Sequence, residues 1–118
     1  MESYVKRYID GKKYTQDELI PIIVLIIGSN GGKATKKFVE KKVYTIFQSE
    51  FSKELYHEIV AGIVPRWKHD IAWARERAKQ IYDYIKPPEE SGRGTWELTS
   101  KGKKYYQELS EALRKKRV

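Results

Sequence analysis

Five cations lie in one short segment near the middle of the chain, and their chemistry suits contact with phosphate groups. The segment contains Arg66, Lys68, Arg75, Arg77 and Lys79. Ammonium and guanidinium groups neutralise phosphates, and a guanidinium can also bind guanine through two hydrogen bonds. This segment favours a nucleic-acid partner, and a solvated helix surface is the alternative interpretation.

Two other places in the sequence could contact a polyanion. Thr35 precedes two lysines at the predicted start of a helix, where backbone N–H groups hold phosphates. Arg93 stands between two glycines, at the tip of a predicted loop. The candidate DNA-binding residues are therefore Thr35, Lys36, Lys37, Arg66, Lys68, His69, Arg75, Arg77, Lys79 and Arg93. Among them, Arg66, His69 and Arg75 are the candidates for reading bases, together with Gln80.

Residues for catalysis are scarce. The chain has no cysteine and two histidines, and it contains no Gly-rich phosphate loop and no Ser/His/Asp arrangement. We therefore expect no enzyme, no cofactor and no metal site.

Composition indicates one basic globular domain. The 118 residues carry a formal net charge of +8, which favours a polyanionic partner. The longest apolar run, residues 19–27, is too short for a bilayer, which needs about 20 residues. The first residues do not resemble a signal peptide, so we expect a cytoplasmic protein without a membrane partner. Abundant Lys, Glu, Tyr and Ile are typical of a thermophile.

The elements that position these residues begin with an apolar helix. Thr15 and Glu18 have the spacing of a capping box, and the helix should extend to about Gly28, with a start or kink at Pro21. Residues 19–27 are apolar on every face, so the helix must be buried all round. We therefore expect a second subunit to cover one side, as in a homodimer.

Two further helices follow. Thr35 should cap one that runs to about Gln48, and Ser52 is a candidate cap for a short helix. Pro65 precedes a helix over residues 66–81. Its predicted buried stripe consists of Trp67, Ile71, Ala74, Ala78 and Ile81.

The remaining elements predict a wing. Residues 82–86 and 95–98 flank a Pro- and Gly-containing loop, which indicates a β-hairpin. A last helix, capped by Thr99 or Ser100, should follow. The fold class is mainly α with a small β-hairpin wing, a winged helix-turn-helix, with residues 1–14 as an N-terminal arm and 15–118 as the DNA-binding domain.

Two motifs resemble a known family. Trp73-Ala74-Arg75 in the third helix, and Arg93-Gly94-Thr95-Trp96 running into Leu98-Thr99 and Gly102, are similar to the N-terminal winged-helix domain of Mrr-type restriction proteins. Those proteins carry a separate nuclease domain, and the matched residues do not include one. The resemblance implies DNA binding without cleavage.

The expected function is a non-enzymatic double-stranded DNA-binding protein, a transcriptional regulator or chromatin-associated factor. Helix 66–81 would enter the major groove, and the wing, 82–98, would contact the flanking backbone. One alternative is a protein-interaction adaptor, which the net-negative wing segment favours. Another is the DNA-contact subunit of a restriction or repair complex.

Overall fold

The computed structural model describes residues 15–60 and 62–115, and helices predominate within them. The long helices are α1 (Leu19–Ser29), α2 (Lys36–Ile46), α4 (Arg66–Gln80) and α6 (Ser100–Lys115), and the short ones are α3 (Gln48–Phe51) and α5 (Pro88–Ser91). The strands are β1 (Lys33–Thr35), β2 (Ile59–Val60), β3 (Val64–Pro65) and β4 (Thr95–Glu97), and 3-10 turns cover Gln16–Glu18 and Glu54–His57. The predicted N-terminal arm, 1–14, and the last three residues of the basic C-terminus lie outside the described residues. In the part that is described, no helix has the length and apolarity needed to cross a membrane.

Helix α1 forms the centre of the core. All nine residues from Leu19 to Ile27 are buried, and α1 packs against α2, α4 and α6. Its apolar faces are thus covered by the chain itself, which removes the reason for expecting a second subunit there. Pro21 is the third residue of α1, where its missing N–H would have had no partner inside the helix, so no kink is needed.

The predicted capping box is not formed. The Thr15 side chain makes no capping hydrogen bond, and the Glu18 backbone N–H donates to the Thr15 carbonyl oxygen instead, at 3.1 Å. Two of the other predicted caps, at Thr35 and Thr99, are confirmed. Thr35 Oγ1 accepts from Phe38 N at 3.1 Å, and Thr99 Oγ1 accepts from Gly102 N at 2.9 Å.

The strand after the loop pairs differently from the prediction. Strand β4 pairs antiparallel with β1, and residues 82–86 contribute one isolated bridge, between Ile85 and Leu98. Lys86 N also donates to the Glu97 carbonyl oxygen at 2.9 Å. The bridge cannot continue into a ladder because Pro87 and Pro88 have no N–H to donate, and the chain then turns into α5. The fold is mainly helical with small antiparallel sheets and a long C-terminal helix.

A β-hairpin that was not predicted lies between α3 and α4. Strands β2 and β3 pair through Ile59 with Pro65 and Val60 with Val64. The helix expected to begin at Ser52 is not formed, because Ser52 follows the end of α3 and the residues after it form the Glu54–His57 3-10 turn and then β2. The predicted stripe of α4 is correct for Ile71, Ala74 and Ala78, but Ile81 lies beyond the end of α4 and is exposed.

Candidate nucleic-acid interface

Three separate elements meet at a cleft beside α4. The cleft has a volume of about 330 Å³. We call it the wing cleft, and its lining residues are Lys36, Ala72, Arg75, Glu76, Pro88, Gly92, Arg93, Gly94 and Trp96. Three cations and one carboxylate thus face a single opening, although they come from α2, α4 and the loop before β4.

Local geometry brings the loop and α2 together. The backbone N–H of Lys36, the first residue of α2, donates to the carbonyl oxygen of Gly94 at 2.8 Å. Gly92 and Gly94 have φ values of 91° and 77°, which side chains with a Cβ disfavour. The chain therefore turns on both sides of Arg93 and leaves that side chain exposed at the tip.

A second, more open depression lies between α2 and the start of α4. We call it the helix groove. It has a volume of about 760 Å³, and its lining residues are Lys37, Glu40, Lys41, Tyr44, Thr45, Gln48, His57, Trp67 and Lys68. Lys36 lines the wing cleft and the next residue, Lys37, lines the helix groove, so both depressions extend to the N-terminus of α2. Together the two depressions hold six cations.

Aromatic rings form one wall of the helix groove. The Tyr44 and Trp67 rings meet edge to face, with centroids 4.7 Å apart. Tyr44 Oη lies 3.3 Å from His57 Nε2, and the ammonium of Lys68 lies 5.6 Å from the centre of the Trp67 ring. One cation of the helix groove, Lys68, thus lies against this aromatic wall.

Arg75 is held inside the wing cleft and does not reach outward. Its side chain is 13% exposed, and its guanidinium lies 5.7 Å from the centre of the Trp96 ring. Arg75 Nη1 donates to Glu76 Oε1 at 3.4 Å, while Nε is buried without a hydrogen-bond partner in the structure. Arg75 therefore joins α4 to β4 as well as adding positive charge to the cleft.

Two predicted contact residues lie on the opposite flank of α4. Arg66 Nη2 is 3.7 Å from Glu58 Oε2, beside the β2–β3 hairpin. Arg77 lies over the Trp73 ring at 4.8 Å, and its Nε is 4.0 Å from Asp17 Oδ1 in the N-terminal 3-10 turn. His69 is exposed on the outward face and lines neither depression. Lys79 borders the wing cleft through its ion pair with Glu76, at 2.8 Å.

Lys41 and the aromatic wall of the helix groove were not among the predicted site residues. Lys37 and Lys41 are four positions apart, a spacing that places them on the same face of α2 and could have identified the second lysine. No sequence signal joins Tyr44 to Trp67, since they lie on different helices.

One carboxylate of the wing forms an ion pair within the wing. Lys86 Nζ lies 3.1 Å from Glu97 Oε2, and this hydrogen bond holds the pKa of Glu97 below its usual value, with further help from Lys33 and Lys103. Because Lys86 and Glu97 both belong to segment 82–98, this pair leaves the segment net negative.

A buried tyrosine fixes the far end of α3. Burial, followed by a hydrogen bond to the Glu50 carboxylate, raises the pKa of Tyr56 to about 12. The pKa of Glu50 is lowered, mainly by its hydrogen bond with Lys53. Burial also raises the pKa of Tyr84, which stacks on Tyr105. All these groups lie outside the two depressions.

Within residues 15–60 and 62–115, no group of three His, Cys, Asp or Glu side chains could hold a metal ion. Comparison with known proteins gives no family assignment, because no protein-family model, curated protein or solved structure matches this chain.

Proposed function

We propose that the protein binds double-stranded DNA through the surface formed by the wing cleft and the helix groove, as a regulator that carries out no chemistry of its own. The observation that supports this is the convergence of six cations from α2, α4 and the Arg93 loop, with only two carboxylates, Glu40 and Glu76, lining the same depressions. The resemblance to the winged-helix domain of Mrr-type restriction proteins favours the same function.

The order of the elements supports a winged-helix mode of binding. Helix α4 would enter the major groove, and the Arg93 loop would contact the neighbouring backbone. Lys36 and Lys37 open α2, where the partial positive charge of the helix N-terminus adds to their own. These two lysines are therefore the strongest candidates for a phosphate contact.

Salt dependence gives the expected size of the effect. If each of the six cations neutralised one phosphate, the affinity would fall with salt at a logarithmic slope of about 5, since each contact contributes about 0.9. A smaller slope would mean that part of this set stays bound to the protein's own carboxylates.

The test is a salt titration of binding to a labelled duplex, read by fluorescence anisotropy. The variant carries Lys36→Gln, Lys37→Gln and Arg93→Gln, three exposed side chains whose loss disturbs no buried contact. We expect weaker binding at low salt and a slope smaller by about 2.7, which corresponds to three lost phosphate contacts. Arg75 is unsuitable for this purpose because it is mostly buried against Trp96.

A matched control distinguishes the effect of removing these three cations from the effect of lowering the net charge of the protein. Lys101→Gln, Lys104→Gln and Arg114→Gln remove the same charge from exposed positions of α6, which line neither depression. The control variant should keep the wild-type slope. Absence of duplex binding by the wild type at about 50 mM salt would refute the proposal, because phosphate contacts are strongest at low salt.

An adaptor role is the second candidate, and one observation favours it. Leu55, Ile59 and Ile63 are 50%, 62% and 80% exposed around the β2–β3 hairpin, beside the carboxylates of Glu54 and Glu58. An apolar surface with acidic neighbours suits a protein partner and not a phosphate backbone. Substituting Ile59 and Ile63 by Ser should abolish partner binding under this alternative and leave duplex binding unchanged.

The same hairpin gives the homodimer proposal a new location. Helices α1 and α6 pack against each other within one chain, whereas Ile59 and Ile63 are the most exposed large apolar side chains among the described residues, ahead of Ile81 and Tyr82, and are the surface that we propose for self-association. Sedimentation should give about twice 13.9 kDa if two copies associate there, and 13.9 kDa if one copy acts alone. A DNA-contact subunit of a restriction or repair complex would instead co-purify with a nuclease.

A further inference from the structure

One carboxylate, Glu76, lines the wing cleft beside Arg75, the cation that α4 contributes to it. Its Oε1 lies 2.8 Å from Lys79 Nζ and 3.4 Å from Arg75 Nη1, and its Oε2 accepts from Gln80 Nε2 at 3.2 Å. The other carboxylate of α4, Asp70, is buried and accepts a hydrogen bond from Gln16 at 2.7 Å. Glu76 is thus the negative charge that α4 presents to the wing cleft.

We propose that Glu76 increases the selectivity of DNA binding, because its carboxylate weakens any binding that depends on phosphate contacts alone. We call this role of Glu76 the gate. This inference rests on the proposed DNA-binding function. In the free protein Glu76 pairs with Lys79 and Arg75, so their charges are not available to a phosphate. Arg75 is also fixed by Trp96, whereas Lys79 must leave Glu76 before it can reach the backbone.

The physical reason is the sign of the charge at the middle of the helix. A phosphate that enters the wing cleft meets Arg93 and Lys36, but also the negative side chain of Glu76, 44% exposed. Like charges repel, and this repulsion acts on every sequence because every nucleotide carries a phosphate. A base edge that offers an amine, such as N4 of cytosine, can instead donate to the carboxylate. Glu76 therefore lowers non-specific affinity more than affinity for a suitable site, and specificity is this difference.

The test compares Glu76→Gln with the wild type on a mixed-sequence duplex about two helical turns long. Glutamine keeps the shape of the side chain and removes its charge. We expect Glu76→Gln to bind about tenfold more tightly at low salt, with a slope larger by about 0.9 for each released cation. Glu111→Gln on α6 is the matched control, since it changes the net charge equally at an exposed position away from the cleft. Thermal unfolding of both variants should match that of the wild type.

Each outcome decides a separate question. If the wild type binds duplex and Glu76→Gln behaves like Glu111→Gln, the gate is overturned while the DNA-binding proposal stands. Weaker binding by Glu76→Gln also overturns the gate, because the carboxylate would then contribute to affinity directly. Failure of the wild type and both variants to bind would overturn the DNA-binding proposal and the gate together.

Discussion

Substituting Gly102 by Ala should destabilise the protein, because the first turn of α6 rests on the backbone of Tyr84. A Cβ built at Gly102 would lie 2.9 Å from the carbonyl carbon of Tyr84 and nearer still to its oxygen. The Tyr84 oxygen is held by a 3.0 Å hydrogen bond from Thr99 N, and Thr99 Oγ1 donates to the carbonyl oxygen of Asp83. The clash thus involves fixed backbone, which cannot move aside like the end of a flexible side chain.

The magnitude follows from two opposing effects. Overpacking against a fixed neighbour costs about 3 kcal/mol, the upper part of its usual range. Alanine recovers at most about 1 kcal/mol through its greater helix propensity. The net loss of about 2 kcal/mol should lower the Tm by about 8 °C in a domain of this size.

Thermal and urea unfolding followed by circular dichroism measure this change. Gln107→Ala, at an exposed position of the same helix, is the control and should shift the Tm little. A Gly102→Ala protein with an unchanged or higher Tm would refute the reasoning, because it would show that α6 and Tyr84 separate at little cost.

Two further predictions concern titration. The unfolded state loses the Tyr56 proton near pH 10 and the folded state near pH 12, so the free energy of unfolding of the wild type should fall by about 2 kcal/mol across this range. Tyr56→Phe has no proton to lose and should not show this fall. Urea unfolding of both proteins at pH 8 and 11.5 measures the difference. Glu97 has a folded-state pKa below its usual value because Lys86 donates a hydrogen bond to it. The contribution of Glu97 to the stability of the folded state is therefore present above about pH 4.5 and is lost as the pH falls through the folded-state pKa. Glu97→Gln should therefore be less stable than wild type at pH 6, and the two proteins should converge at pH 2.

Local signals predicted the four long helices, but neither the short elements of residues 48–60 nor the pairings between distant residues. The caps at Thr35 and Thr99 and the buried positions of α4 depend on spacings of three or four residues, which the sequence shows directly. The pairing of β1 with β4 joins three-residue strands that lie far apart in the chain, and strands that short show no clear alternation. The β2–β3 hairpin has the same difficulty, since each strand has two residues.

The homodimer argument failed for a related reason. Nine consecutive apolar residues indicate that a helix is buried, but they do not indicate whether the same chain or a second subunit buries it. The amphipathic faces of α2, α4 and α6 together surround α1, although none of them could be assigned to it from its own pattern.

Under the proposed function, the contacts of each cation within the protein decide which of them are available to a phosphate. The three arginines of α4 each have a partner within the protein: Arg75 and Arg77 lie against tryptophan rings, and Arg66 forms a partly exposed ion pair with Glu58. A guanidinium is planar and weakly hydrated, so it stacks on aromatic rings more readily than a strongly hydrated ammonium does. Lys36 and Lys37 keep their solvent exposure, and among the described residues no ion pair joins either to a carboxylate.

The number of cations in the sequence of α4 is therefore larger than the number that would be available to bind a phosphate. Four of the six cations that line the two depressions come from α2 and Arg93, and α4 supplies Arg75 and Lys68. It follows that the salt slope should depend on the exposed lysines and Arg93 more than on the arginines of α4. Under the proposed function, α4 enters the major groove of DNA and contributes the Glu76 gate, while the cations of α2 and Arg93 contribute most of the electrostatic attraction to phosphate.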